Sequence, residues 1–352
     1  MRRALGDPVA RVTGWTTTPV PYAFLNPTSG GVYRFAGTAD GSGGTAAWRL
    51  VLKVTRSAET LEHESPLPPG LADAVRWDRE LLAYESGFLP GLDGRLAAAR
   101  SFGSVRNEDE TGWLWLEDLA GAEGGFWPAA RYEWVGRALG AFNGRFLAGD
   151  AAPADEWLGR GWLRTWVTQV TPFSFGSFLD PSAWLSPRIL EAYPPAVRTR
   201  VLALWADRGR LLDAADALPL TCSHLDAHRR NLFERDGRVV AIDWGLLGLA
   251  PPGEEIASTL VGTVASGEVP VDECEPLASI LYESYLAGLG EAGWRGDERD
   301  VRIGFTVGAA LRTFAVLGLD ADDAQLDRCT QLVRVLLDLG DEARRLIDAR
   351  TS

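Results

Sequence analysis

Hydrophobic and polar positions change rhythm about a third of the way along this chain. Up to residue 118, short apolar runs alternate with polar residues and are cut by Gly-Ser-Gly-Gly at 41–44 and Asn-Glu-Asp-Glu at 107–110. Alternation with a period of two puts every second side chain on one face, as a half-buried strand requires. It predicts strands at Val12–Thr18, Val32–Ala36, Trp48–Val54, Ala98–Val105 and Trp113–Leu116. Between the third and fourth, Leu71–Phe88 sets Val75, Leu82 and Tyr84 among charged residues and closes near Gly87 and Pro90, which predicts one helix. Beyond Leu119 the period lengthens. Val135, Leu139, Phe142 and Phe146 recur at helical spacing within Tyr132–Leu147, and helices are predicted also at Pro195–Ala217, Glu275–Leu289, Asp300–Leu317 and Gln325–Ile347. A polar, strand-like segment, Thr221–Ile242, interrupts them, and a Trp-rich stretch, Trp157–Trp184, fits neither rhythm. The expected class is α+β: a small antiparallel sheet with one helix, then a larger, mainly helical part.

Composition narrows the partners. At 352 residues the chain has room for two lobes and a cleft, and a net charge of -13 repels phosphate backbones and anionic membranes. No nucleic acid and no membrane are expected as partners; a cationic small molecule suits the charge better. Met1–Trp15 lacks the apolar stretch of a leader, and no apolar run approaches the roughly 20 residues of a membrane span, so a cytoplasmic location is expected. Cys222, Cys274 and Cys329 are far apart and read as reduced packing residues. Among 35 basic residues Lys53 alone is lysine. Arginine serves everywhere else, so Lys53 stands where a compact ammonium is needed and a planar guanidinium does not serve.

The densest chemistry lies in Ser223-His224-Leu225-Asp226-Ala227-His228-Arg229-Arg230-Asn231, followed after a turn at Asp236-Gly237 by Ile242-Asp243-Trp244-Gly245. Phosphoryl transfer needs a carboxylate that orients the attacking hydroxyl and takes its proton, and oxygen ligands that hold a metal against the phosphates. Asp226, Asn231 and Asp243 supply them in order. The H-x-D-x-x-x-x-N and I-D-W motifs at this spacing resemble the catalytic and metal-binding pair of the aminoglycoside phosphotransferase and choline kinase family, small-molecule relatives of the protein kinases. The resemblance implies a protein-kinase-like two-lobe fold, with a nucleotide-binding N-lobe at 1–118 and a helical C-lobe at 119–352 carrying catalytic loop, metal site and acceptor pocket. It implies ATP as donor, Asp226 as catalytic base, His224 as a buried holder of the loop, and Asn231 and Asp243 as Mg²⁺ ligands. Leu225 and Trp244 stand where protein kinases carry the Arg of H-R-D and the Phe of D-F-G, and no A-P-E follows. A phosphorylation-switched protein kinase is therefore not expected.

The first lobe offers matching parts. Asn26-Pro27-Thr28-Ser29-Gly30-Gly31 precedes a strand, and Ser29, Gly30 and Gly31 can bring backbone amides close to phosphates. Arg49-Leu50-Val51-Leu52-Lys53 resembles the strand whose lysine grips the α- and β-phosphates, with Glu80 on the next helix as its partner and Glu85 as second choice. Glu117-Asp118-Leu119 resembles the hinge, with Glu117 and Leu119 offering backbone to adenine. From Leu246 to Trp294 there are eight carboxylates, Glu254, Glu255, Glu268, Asp272, Glu273, Glu275, Glu283 and Glu291, and no Lys or Arg. This stretch is either a solvated face or the wall of a site for a cationic acceptor such as an aminoglycoside, amino sugar or amino alcohol. Trp157, Trp162, Trp166 and Trp184 either line that site or pack the core. Two further readings stay open here: a catalytically silent nucleotide-binding pseudokinase, and a metal-dependent hydrolase using His224, Asp226 and His228, for which the one other histidine, His63, is the only spare ligand of its kind.

Overall fold

The computed structural model describes residues 2–21, 28–57, 71–119 and 127–351. The first part is built on β1 (Arg11–Pro19), β2 (Ser29–Gly41), β3 (Gly44–Arg56), α1 (Arg79–Glu85), β4 (Leu96–Ala98), β5 (Ser101–Arg106) and β6 (Thr111–Glu117). Five of these strands form an antiparallel sheet in the order β1-β2-β3-β6-β5. Directly paired residues share a face. Lys53 opposite Leu114 and Val51 opposite Leu116 therefore look inward, where Leu81 of α1 packs with the leucines. Leu52 opposite Trp115 looks outward. There Phe35 lies 5.5 Å from Trp15 and 5.1 Å from Trp115, and Ala4 and Leu5 of a short N-terminal turn of helix join the cluster.

Two predicted elements divide. The run expected as one strand, Ala98–Val105, breaks at Ala99 and Arg100. β4 leaves the large sheet and pairs in parallel with Val239–Ala241 of the second part, the Ala99 amide donates to the Ala241 carbonyl at 3.1 Å, and only β5 stays in the sheet. Leu96, Ala97 and Ala99 are buried there, packed into the main core. The helix expected over Leu71–Phe88 splits into Leu71–Ala74 and α1. Asp78 leaves helical geometry, at φ -95° and ψ 2°, and takes Arg76 Nε at 2.6 Å, while the Ala74 carbonyl accepts from the Arg79 side chain.

The second part contains α2 (Ala129–Leu147), β7 (Gly159–Arg160), α3 (Pro195–Asp216), β8 (Thr221–Ser223), β9 (Leu232–Arg235), β10 (Arg238–Ala241), β11 (Gly248–Ala250), α4 (Glu254–Ala265), α5 (Cys274–Glu291), α6 (Glu298–Leu311) and α7 (Asp323–Thr351). Periodicity missed α4, and its surroundings explain why: nine residues of this 12-residue helix are buried, so it has no polar face to set a period. Helices α2 and α5 touch backbone to backbone. A Cβ on Gly140 would sit 2.1 Å from the Tyr285 carbonyl oxygen, and one on Gly288 would sit 2.2 Å from that of Arg137. The Trp-rich stretch is a chain of short helical turns in which Trp157 and Trp184 are core residues, Trp184 donating to the Phe178 carbonyl at 2.8 Å. Among the described residues no helix is long and apolar enough to cross a membrane.

Candidate active site

The β9–β10 hairpin places the first pair of residues. Asp236 and Gly237 both have positive φ, 51° and 71°, as a tight two-residue turn demands. The hairpin closes with the Ile242 amide donating to the Asn231 carbonyl at 2.9 Å, which brings Asn231 and Asp243 to the same end. Asp243 itself is left-handed, at φ 61° and ψ 61°. For a non-glycine residue that conformation is uncommon and must be held by its neighbours.

Asp226 lies beside this end. Asn231 Nδ2 donates to its carboxylate at 2.8 Å and to its carbonyl at 3.0 Å, and His228 Nε2 lies 3.6 Å from the same carboxylate oxygen. Burial, then the charge of Asp243, pushes the Asp226 pKa well up, opposed in part by the Asn231 hydrogen bond and by Lys53. His224 braces the loop from beneath: Nε2 donates to the Ile242 carbonyl at 2.9 Å and Nδ1 accepts the Asp226 amide at 3.2 Å. Those two bonds define a neutral imidazole, and burial lowers its pKa to about 4. Trp244 packs on the ring with centroids 4.5 Å apart.

Lys53 joins the lobes. Its Nζ donates to Glu80 at 2.6 Å and to Asp243 at 2.5 Å, and the three side chains are 12%, 2% and 15% exposed. Burial alone would lower the ammonium's pKa; the charges and hydrogen bonds of Asp243 and Glu80 outweigh it and raise it. Glu85, the second choice of partner, instead accepts from Ser104 and Arg106 at the surface. Lys53, Glu80 and Asp243 line one cleft with Thr28, Ser29, Thr55, Trp77 and Gly245. Gly31 has φ +126°, and a Cβ on Gly30 would meet Val54 at 2.8 Å, so the turn into β2 lies close over β3. Asn26 and Pro27 lie outside the described residues. At the supposed hinge, the Glu117 amide donates to the Arg100 carbonyl and its carboxylate holds Arg235 and the Arg100 amide. Leu119 is half-buried, at the edge of the described residues.

A magnesium nucleotide fits these groups by two observations. The oxygen donors at the hairpin end, Asp243 and Asn231, are the few that Mg²⁺ takes when phosphate and water complete its shell. The hydroxyls of Ser29 and Thr55, both in the cleft wall, are shut from solvent without a hydrogen-bond partner. A cluster of hydrolase type is not assembled: among the described residues no group of three or more His, Cys, Asp or Glu is placed to hold a metal. Both ring nitrogens of His224 are committed, and His63 lies outside the described residues.

The acidic stretch is not one surface. Glu254 and Glu255 are fully buried, Glu268 pairs with Arg229 and Arg230, Glu291 pairs with Arg95 and Arg137, and Asp272, Glu273, Glu275 and Glu283 are exposed. Glu255 has a specific task that pattern reading missed. Its Oε1 accepts the amides of His224 at 2.7 Å and of Leu225 at 3.1 Å, and Leu225 is left-handed at φ 67°. The sequence signal was limited to a helix start, two acids opening an apolar run after Pro251-Pro252-Gly253, which marks the element and not the burial of Glu255.

Burial raises the Glu255 pKa to about 7. An ordinary glutamate titrates near 4.3, so the folded chain binds this proton more readily than the unfolded one. Its stabilising contribution is full below the unfolded pKa and is lost as pH rises towards 7. Thermal melts of Glu255→Gln and wild type from pH 5 to 8 should show the variant gaining on wild type as pH rises. A constant difference would mean that Glu255 is ionised throughout.

The model of the phosphotransferase enzyme family (APH) matches residues 35–298, which include Lys53, Glu80, the 224–231 loop and Asp243. Among solved structures, an amicoumacin kinase in complex with AMP-PNP and Ca²⁺ is 17% identical, with 92% of this chain and 88% of that one covered at a TM-score of 0.51. A microcompartment-associated aminopropanol kinase is 13% identical, covering 99% and 97% at a TM-score of 0.53. These likenesses speak for a shared fold. No curated protein matches the sequence.

Proposed function

The chain belongs to the phosphotransferase enzyme family, and from that premise we propose that it moves the γ-phosphoryl group of ATP to a hydroxyl of a small, cationic molecule in the cytoplasm. The observation that carries the reading is the buried chain Glu80–Lys53–Asp243, 2.6 and 2.5 Å long, which ties a β3 ammonium to the residue after the β9–β10 hairpin. An ammonium held there meets phosphate oxygens as a point charge. Ser29, Gly30 and Gly31 would cover the phosphates, and the backbone near Glu117 and Leu119 would face the base. Asn231 and Asp243 would hold Mg²⁺, whose chemistry is to draw off charge from the phosphates. Asp226 would orient the acceptor hydroxyl and take its proton as the oxygen bonds to phosphorus and the bond to ADP breaks. The lobe division at 118/119 is part of the same proposal.

A cationic acceptor is supported by the net charge of -13 and by the exposed carboxylates of α5 and the turn before it. The buried Glu254 and Glu255 lend it nothing. The test is nucleotide consumption with Mg²⁺ across aminoglycosides, amino sugars, amino alcohols, neutral sugars and anionic alcohols. Turnover is expected with cationic acceptors and should weaken with salt as attraction is screened over about 8 Å at physiological ionic strength. Turnover confined to neutral or anionic acceptors would refute the charge assignment alone. Absence of nucleotide binding would refute the whole reading.

A further inference from the structure

Arg79 is only 3% exposed, yet no reading of the motifs gives it a part. Its donors spread over three carbonyls from three segments: Nε to Trp157 at 2.8 Å, and Nη1 to Ala74 at 2.8 Å and to Gly245 at 2.7 Å. Gly245 lies two residues beyond Asp243. The neighbouring residue on α1, Glu80, accepts the Trp244 amide at 3.1 Å. Two consecutive residues of α1 therefore grip two consecutive residues that follow Asp243. Asp243 holds a left-handed backbone that a non-glycine residue does not keep unaided. Burial lowers the Arg79 pKa to about 10, which leaves the guanidinium charged at neutral pH.

We propose that Arg79 is a positioning residue for Asp243, clamping the 244–245 backbone to α1 so that the Asp243 carboxylate stays aimed at the metal and phosphate end of the cleft. The proposal rests on the phosphotransfer reading above. It explains why the position is arginine. Carbonyls in three directions need a planar fork with several donors, which a lysine ammonium on a flexible stem does not supply in fixed geometry. It also makes α1 a mechanical part of the second lobe, linked to it through Trp157 and Gly245, and not only a cover for the sheet.

The test is calorimetric binding of AMP-PNP to the full chain across a Mg²⁺ titration, for wild type, Arg79→Gln and Arg79→Lys, with thermal melts alongside. Residues that orient a metal ligand typically change metal affinity about 10- to 100-fold when replaced. Arg79→Gln should accordingly raise the half-saturating Mg²⁺ at least tenfold while nucleotide binding without metal is unchanged, and Arg79→Lys should fall between. A less stable Arg79→Gln chain with wild-type Mg²⁺ dependence would reduce Arg79 to a packing role. Should the glutamine variant fail to fold, a wild-type Mg²⁺ midpoint in Arg79→Lys overturns the proposal. A wild-type chain that binds no nucleotide at any Mg²⁺ concentration overturns the phosphotransfer reading, and this inference with it.

Discussion

Asp226→Asn should lose phosphoryl transfer, by roughly 10²- to 10⁴-fold in kcat, the usual share of a positioned general base, while still binding Mg²⁺-nucleotide as wild type does. The separation follows from where Asp226 lies. Its carboxylate is braced by Asn231 at 2.8 Å, and its amide and carbonyl are held by His224 and by His228 and Asn231. An asparagine keeps the carbonyl oxygen that Asn231 bonds, so the loop keeps its shape and only the proton acceptor is lost. The Lys53–Glu80–Asp243 chain does not pass through it. Single-turnover transfer to whichever acceptor the screen identifies, with calorimetric nucleotide binding, decides the matter. Near-wild-type turnover would take Asp226 out of the mechanism. Equal loss of binding and transfer would instead make it part of the nucleotide site.

Lys53→Arg should also be nearly inactive although it keeps the charge. The ammonium sits between carboxylate oxygens at 2.6 and 2.5 Å in a side chain only 12% exposed, and a guanidinium is too broad for that gap. Losing one preorganised donor in a closed site typically costs on the order of 10²- to 10³-fold in kcat. Lys53→Met should in addition destabilise the fold, because removing one partner of a buried ion pair costs roughly 3–5 kcal/mol. An acyl-phosphate analogue of ATP should acylate Lys53, with Mg²⁺-ATP protecting it. Because Asp243 and Glu80 keep the amine protonated, acylation should be faster at high pH. Labelling indifferent to ATP, together with a fully active Lys53→Arg enzyme, would detach Lys53 from the nucleotide.

Local rhythm was enough where residue types alternate along a strand, as in β6, or where a helix opens or closes on a charged face, as in α6 and α7. It failed where that contrast vanishes. α4 is dry nearly all round, and β4 is a short run of small apolar residues whose partner, β10, lies far along the chain. The candidate site divides in the same way. Asp226, Asn231 and Asp243 share a compact motif, and Lys53 stood out by residue type alone. Arg79 and Glu255 act by gripping backbone groups distant in sequence, and neither spacing nor composition records such a grip. The acidic stretch was legible as charge but not as depth: its first two members are buried, and Glu255 supports the loop.

The contact between α2 and α5 has a consequence for anyone reading mutational tolerance. With the Tyr285 carbonyl 2.1 Å from where a Cβ of residue 140 would lie, and that of Arg137 2.2 Å from one at 288, even alanine has to force two main chains apart. Asn143 on α2 accepts a hydrogen bond from Tyr285 of α5 and donates one to the Cys222 carbonyl, just ahead of the 224–231 loop, so such a wedge would be passed on to Asp226. In a saturation screen scored by activity, Gly140 and Gly288 would rank with the reacting residues, though neither lines the cleft around Lys53 and Asp243. Intolerance there would map the seat of the machine and not its tool.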